Sequence, residues 1–394
     1  MLSIKRRLKD SQKTLLGINI YLLKLSGIWK PHSTFYKILS VSYVFIYGVF
    51  NIFQYIDFFK AWGEWDYMFM NLSLTYACML GLIKIISFRL NFHLWEAAFD
   101  AMNEIEKKFN NKDHPAIRAI LAQFTFRMRF TTIGFISTCF ITLIFFCLEP
   151  IIMNAVNNDK SQPLKQIAQM WSPFSLETNL GYMINIFIQL ITSFLCGLVS
   201  SVYDTSVVAV LVWFHLQLVV LRKECSSLGV LDDSDKSGEL FVSEEEFLKR
   251  LKQCHNHHLA LLRSYHSFNT LQSPIMFVSL LGCTIVLGYS VINLTGNSNI
   301  LSGGLYFIST FIELFMLYWF YNDVTVMSQK VSSGVWESHW YRYSVRSQRL
   351  VLVLMQGLNT RMVFSAGPFN DMTLVTFLGI LKTSYSAYAA LSNI

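Results

Sequence analysis

Residues 367–394 read GPFNDMTLVTFLGILKTSYSAYAALSNI, and this stretch decides the fold. Leu374, Val375, Phe377, Leu378, Ile380 and Leu381 make its first half apolar enough to enter a bilayer. Gly379, Lys382, Thr383, Ser386, Ala390 and Asn393 recur at steps of three or four residues. That spacing predicts one small, polar stripe along a greasy helix. Polar groups at membrane depth face either a water path or neighbouring helices, and small residues favour close helix packing. The stripe alone leaves both readings open.

Composition places the whole chain in the same class. Of its 394 residues, 53% are hydrophobic, 15% aromatic and only 14% charged, with a mean hydropathy of +0.40. Those values describe a polytopic membrane protein and set aside two or three soluble domains. Six further apolar runs match the roughly 20 residues that a bilayer requires: residues 38–58, 67–87, 130–152, 181–203, 271–292 and 301–322. The fourth continues through 207–221, so its helix is expected to leave the membrane and extend into the next connection. The resulting expectation is an all-α protein with seven transmembrane helices.

The net charge of +7 follows from where the basic residues fall. Of 32 lysines and arginines, 27 lie on one set of alternating connections. Lys60, Lys160 and Lys165 lie on the other set, and Lys84 and Lys382 within runs. Basic residues concentrate on the cytoplasmic side of membrane proteins. The sequence therefore predicts a cytoplasmic N-terminus and an extracellular C-terminus, the inverse of a G-protein-coupled receptor. No nucleic-acid partner is needed to explain the charge. No cleavable signal peptide is read in the basic first 37 residues, so the first span is expected to serve as its own insertion signal. The cytoplasmic connections 89–129 and 222–263 mix charged and apolar residues at helical spacing, predicting extensions of the bundle. The outer connection 153–180, with Pro163, Trp171, Pro173 and Phe174, reads as a lid.

Chemistry-bearing motifs are sparse. The seven cysteines form no CxxC pair, which argues against a disulfide framework. Cys254 and His258 share a helical face, but two ligands do not make a zinc site. Neither a metal nor any other cofactor is expected. Glu313 is an intramembrane carboxylate, equally suited to function or to a buried structural hydrogen bond. Asn293-Leu294-Thr295 is a glycosylation sequon close to a membrane end. No catalytic constellation appears, which argues against an enzyme. The outer halves of the second, third, fourth and sixth runs offer Phe69, Leu72, Thr75 and Tyr76, then Leu143, Phe146 and Cys147, then Tyr182 and Ile186, then Tyr306. Such walls suit a small apolar ligand, and equally suit ordinary helix packing.

Three segments together resemble the insect odorant receptors. Val335-Trp336-Glu337-Ser338-His339-Trp340-Tyr341 is similar to the family's tryptophan-bearing cytoplasmic segment. Ser365-Ala366-Gly367-Pro368-Phe369 and Phe377-Leu378-Gly379-Ile380-Leu381-Lys382-Thr383-Ser384-Tyr385-Ser386 are similar to its approach and last helix. Gly27-Ile28-Trp29-Lys30-Pro31 resembles its early signature, with Lys30 interposed. Thr383-Ser384-Tyr385 lacks the downstream Gln-Phe of the related gustatory receptors, which favours the odorant branch.

The resemblance implies a ligand-gated, non-selective cation channel in the plasma membrane of sensory dendrites. It implies a heterotetramer with the olfactory co-receptor, opened by a small volatile odorant and anchored through cytoplasmic helices. Four segments follow: 1–37 cytoplasmic, 38–322 bearing six spans, 323–368 an anchor, and 369–394 a pore-lining helix of about 39 Å against roughly 30 Å of hydrocarbon. The first two turns of that helix are expected to project into the cytoplasm. The polar stripe becomes the pore face, with Lys382, Ser386, Ala390, Asn393 and Ile394 along it. A gustatory-type channel or a membrane transporter of small apolar molecules is the alternative. Channel-like current without a coupled ion would separate the transporter from either channel.

Overall fold

The computed structural model describes residues 15–29, 34–110, 115–156, 164–176, 178–230, 241–295 and 300–391. In chain order its helices are α1 (Gly17–Leu25), α2 (Thr34–Lys60), α3 (Trp65–Leu90), α4 (Phe92–Asn110), α5 (Pro115–Val156), α6 (Asn179–Ser226), α7 (Glu244–Thr295), α8 (Ile300–Trp336), α9 (Val345–Leu358) and α10 (Leu374–Leu391). A two-stranded antiparallel hairpin, β1 (Ser365–Ala366) and β2 (Asn370–Asp371), pairs Ser365 with Asp371 just before the last helix.

Among the described residues five stretches are long and apolar enough to cross a membrane: Val41–Lys60, Ala119–Val156, Asn179–Ser226, Glu244–Gly288 and Gly303–Arg342. A sixth is Leu74–Leu90 joined to Phe92–Asp100 through a 70° bend, and Leu374–Thr383 is a shorter apolar helix. At the bend Asn91 donates through Nδ2 to the Ser87 carbonyl, 3.0 Å away. Rings then fill the corner: Phe88 stacks on Trp95 at 4.9 Å, and Trp29 meets Phe92 edge-on at 5.2 Å. The Gly-Ile-Trp segment thus pins the chain start to the elbow between α3 and α4.

Helix α6 organises the rest. Val207, Val208, Ala209, Leu211 and Leu221 are fully buried, and helix α8 packs along it. A helix apolar on every side belongs inside a bundle. The apolar run 181–203 and its continuation to 221 are one unbroken helix of 48 residues. Outward faces remain greasy: Phe45, Phe130, Ile133, Met183 and Phe187 are exposed. Exposed apolar side chains along spanning stretches face lipid, since lipid tails are as apolar as leucine.

The last helix begins later than its composition implies. Residues 369–373 are not helical, and α10 starts at Leu374. Three features hold them out of the helix. Gly367 has φ +66°, a backbone conformation that favours glycine. Its N–H donates to the Ser273 carbonyl of α7 at 2.9 Å, and Met372 N–H donates to the Phe364 carbonyl at 2.8 Å. Thr373 then accepts from the Thr376 N–H at 3.4 Å, capping the helix. Eighteen residues rise about 27 Å, close to one hydrocarbon thickness rather than beyond it. Residues 369–373, expected to be helical, are instead taken up by the hairpin and the approach to Leu374.

Candidate functional site

A cavity of about 180 Å³ opens between α2, α3, α5, α6 and α8. Each wall follows from helical spacing. From α6 come Ser193, Cys196, Gly197, Ser200, Ser201 and Asp204, one face at steps of three and four. From α5 come Phe135, Cys139, Thr142, Leu143 and Phe146, and from α3 Leu74, Ala77 and Cys78. Phe50 and Gln54 of α2 and Tyr306, Ser309 and Glu313 of α8 complete the lining. The lining runs from Phe146 to Phe135 along α5, about 16 Å of helix rise.

The roof is the connection between α5 and α6. Ala168 lines the cavity, and Ile167, Ala168 and Met170 are buried. Gln189 of α6 stitches the roof down. Its Oε1 accepts from the N–H groups of Ile167 at 2.9 Å and Ala168 at 3.1 Å. Its Nε2 donates to Gln166 Oε1 at 2.8 Å and to the Ala168 carbonyl at 3.2 Å. Tyr67 donates to Gln169 Oε1 at 2.9 Å, Asn71 to the Gln169 carbonyl at 3.2 Å, and Trp171 N–H to the Phe53 carbonyl at 3.1 Å. Three helices therefore hold one short loop over the cavity.

The opposite end is ionic. Lys84 of α3, 1% exposed, lies 2.8 Å from Asp204 Oδ2 and 3.4 Å from Glu313 Oε1. It also donates to Ser200 Oγ at 3.1 Å. Among the described residues Asp204 Oδ1 is buried without a hydrogen-bond partner, as are both polar atoms of the Gln54 amide. Beside them, Tyr47 Oη and Cys196 Sγ stand 2.6 Å apart, and Cys196 lies 4.0 Å from Cys78.

Of the side chains named from sequence, Leu143, Phe146 and Tyr306 line this cavity, with the Phe146 and Tyr306 rings 6.1 Å apart. Cys147 and Ile186 pack with Ile167 beneath the roof, with Tyr182 against them. The Tyr182 hydroxyl accepts from Asn154 Nδ2 at 2.7 Å and donates to the Lys165 carbonyl at 3.3 Å. Thr75 is buried and donates to Asn71 Oδ1 at 2.7 Å. Tyr76 faces α7 instead, donating to the Val278 carbonyl at 2.7 Å with its ring over Gly282. Leu72 is half-buried on α3, and Phe69 lies in the same helix.

Leu72, Thr75 and Tyr76 and the cavity-lining Leu74, Ala77 and Cys78 share one spacing, so pattern alone cannot choose between the two faces. The floor was the larger omission. Lys84 and Glu313 are visible in sequence as charges inside apolar runs, and Asp204 interrupts an equally apolar stretch. Their convergence is not visible there.

On α10, Lys382 and Ser386 are exposed one turn apart, and Ala390 lies further along. Asn393 and Ile394 lie outside the described residues. On α7, His257 bridges Gln217 at 3.1 Å and Glu224 at 3.0 Å.

The described residues thus form a polytopic helical bundle of membrane-protein type around a roofed, mostly apolar cavity. Residues 64–385 match the family model described as 7tm Odorant receptor, and the chain belongs to that family of insect odorant receptors. It is 20% identical over 367 residues to Odorant receptor Or2 of Anopheles gambiae, covering 88% of this chain and 90% of that one. It is 18% identical to Odorant receptor 10 of Aedes albopictus, covering 93% and 96%. The fold superposes on the olfactory receptor OR5 of Machilis hrabei solved with eugenol, at a TM-score of 0.80 and 13% identity, covering 100% of this chain and 99% of that one. The chain thus has the seven-transmembrane insect olfactory receptor fold.

Proposed function

We propose that this chain is the odorant-binding subunit of a ligand-gated, non-selective cation channel, assembled with the olfactory co-receptor in a heterotetramer of the plasma membrane. The observation that carries this reading is the roofed cavity: mostly apolar walls from five helices, a few hydroxyls and thiols, and a lid tied to three of them. Such a site holds a small volatile by shape and one or two hydrogen bonds. Leu143, Phe146 and Tyr306 would contact it directly, while Phe69, Leu72, Thr75, Tyr76, Cys147, Tyr182 and Ile186 form or brace the surrounding wall.

The permeation path is assigned to the stripe of α10, with Lys382, Ser386 and Ala390 on it and Asn393 and Ile394 beyond. An apolar ring at the end of such a helix can close a pore by dewetting. Subunit contacts are assigned to the end carrying α9, where Trp336, Tyr341, Val345, Leu352 and Val353 are exposed. A patch of that kind on a soluble surface marks a partner interface.

The test is a panel of volatiles on cells expressing the chain with and without the co-receptor. Odorant current should require both, and Phe146→Ala should re-rank the panel while conduction persists. One methylene in such a pocket is worth roughly 1–3 kcal/mol. An unchanged ranking in both Phe146→Ala and Leu143→Ala would place the ligand elsewhere.

A further inference from the structure

The floor of the cavity holds two carboxyl groups and one ammonium. Among the described residues Lys84 is the one basic side chain paired with these acids, at 2.8 Å from Asp204 and 3.4 Å from Glu313. Asp204 and Glu313 also face each other. The other ionisable groups on the lining are the thiols of Cys78, Cys139 and Cys196 and the phenol of Tyr306, none of them a cation. Two adjoining carboxyl groups face one ammonium, which leaves room for a second positive charge to balance the set. Asp204 Oδ1 is buried and accepts no hydrogen bond among the described residues, while the Glu313 side chain, part of the cavity lining, is 24% exposed. Glu313 is the acid that the ligand space reaches.

We propose that the ligand itself supplies the second charge: this cavity is built for a small protonated primary amine with an apolar tail. Its ammonium sits against the Glu313 carboxylate, beside the Lys84–Asp204 pair. Its tail lies along Leu143, Phe146 and Tyr306 toward the roof. A charge-assisted hydrogen bond to a carboxylate is about twice as strong as a neutral one, and more so away from water. That gain is what offsets the desolvation of the ammonium. The cavity volume of about 180 Å³ sets the size, since a cavity of about 150 Å³ holds a benzene molecule. The ligand therefore carries on the order of seven non-hydrogen atoms. This inference rests on the cavity being the odorant site and narrows the ligand class within it.

Hexylamine, hexan-1-ol and heptane are equal in heavy-atom count and differ at one end. They are compared on cells expressing this chain with the co-receptor, with the co-receptor alone as control. Hexylamine is expected to activate at a concentration about tenfold or more below the other two. Glu313→Gln removes the surplus acid and leaves the Lys84–Asp204 pair intact. It is expected to raise the half-activating concentration of hexylamine at least about tenfold more than that of heptane, with Glu313→Asp restoring the preference. The wild-type ranking is itself a test should Glu313→Gln fail to reach the surface. Hexylamine no better than hexan-1-ol would overturn the proposal, and so would a Glu313→Gln effect equal on all three. If Leu143→Ala and Phe146→Ala re-rank apolar volatiles while no amine preference exists, the amine assignment alone falls. If those changes re-rank nothing, the cavity is not the ligand site and the parent reading falls with it.

Discussion

Lys84 is the residue on which the membrane-embedded core depends. An ammonium at 1% exposure is tolerable because Asp204, Glu313 and Ser200 surround it. Removing one partner of a buried ion pair strands the other, at a cost of about 3–5 kcal/mol. Lys84→Met should therefore lower surface expression and the thermal midpoint of the purified protein. The double variant Lys84→Met with Asp204→Asn should recover at least half of the loss, because the fully buried carboxylate is gone and only the part-exposed Glu313 stays unpaired. Equal loss in both variants would mean that Lys84 acts through packing and not through charge. Glu313 combines two positions: it is a structural partner of Lys84 and part of the cavity wall.

Among the elements, the roof loop and the hairpin before α10 are each held by a small number of bonds. Gln189 satisfies the Ile167 and Ala168 N–H groups with one oxygen. Gln189→Leu leaves both donors buried without a partner, about 1–3 kcal/mol each. Limited proteolysis of the intact receptor should then cut within residues 164–176 several-fold faster, and wild-type rates would show that the loop is held elsewhere. At Gly367 the constraint is steric. A Cβ there would lie 2.8 Å from Phe277 Cδ2, on a backbone of φ +66°. Gly367→Ala should cost about 1–3 kcal/mol and lower the thermal midpoint, whereas Gly357→Ala, with open space around its Cβ position, should not. Because the hairpin fixes where α10 begins, the proposed channel role predicts that loosening it also changes the resting leak of cells that co-express the co-receptor.

For the whole molecule, orientation follows from charge. The distribution of 27 basic residues against three predicts an inside N-terminus and an outside C-terminus. An epitope appended after Ile394 should stain intact cells, and one placed before Met1 should stain only after permeabilisation. The reverse pattern would invert every assignment of inner and outer ends made above. The aromatic end around Trp336 and Tyr341 would then be outside, where it could not serve as a cytoplasmic anchor.

Sequence alone determined the class, because membrane insertion is governed by quantities that add along the chain. Twenty apolar residues in a row span a bilayer whatever their neighbours do. It also supplied the resemblance of the chain's end, including the Ser-Ala-Gly-Pro segment that proves to be the hairpin. What it could not choose was which face of each helix looks inward. In a soluble helix the polar side marks the outside; here lipid and interior are both apolar, and that contrast vanishes. Leu74, Ala77 and Cys78 therefore line the cavity while Tyr76, equally plausible by spacing, turns to α7. Only tertiary structure brought Lys84, Asp204 and Glu313 together, from three helices and more than a hundred residues apart. Their meeting depends on which helices are neighbours, and no local pattern encodes that.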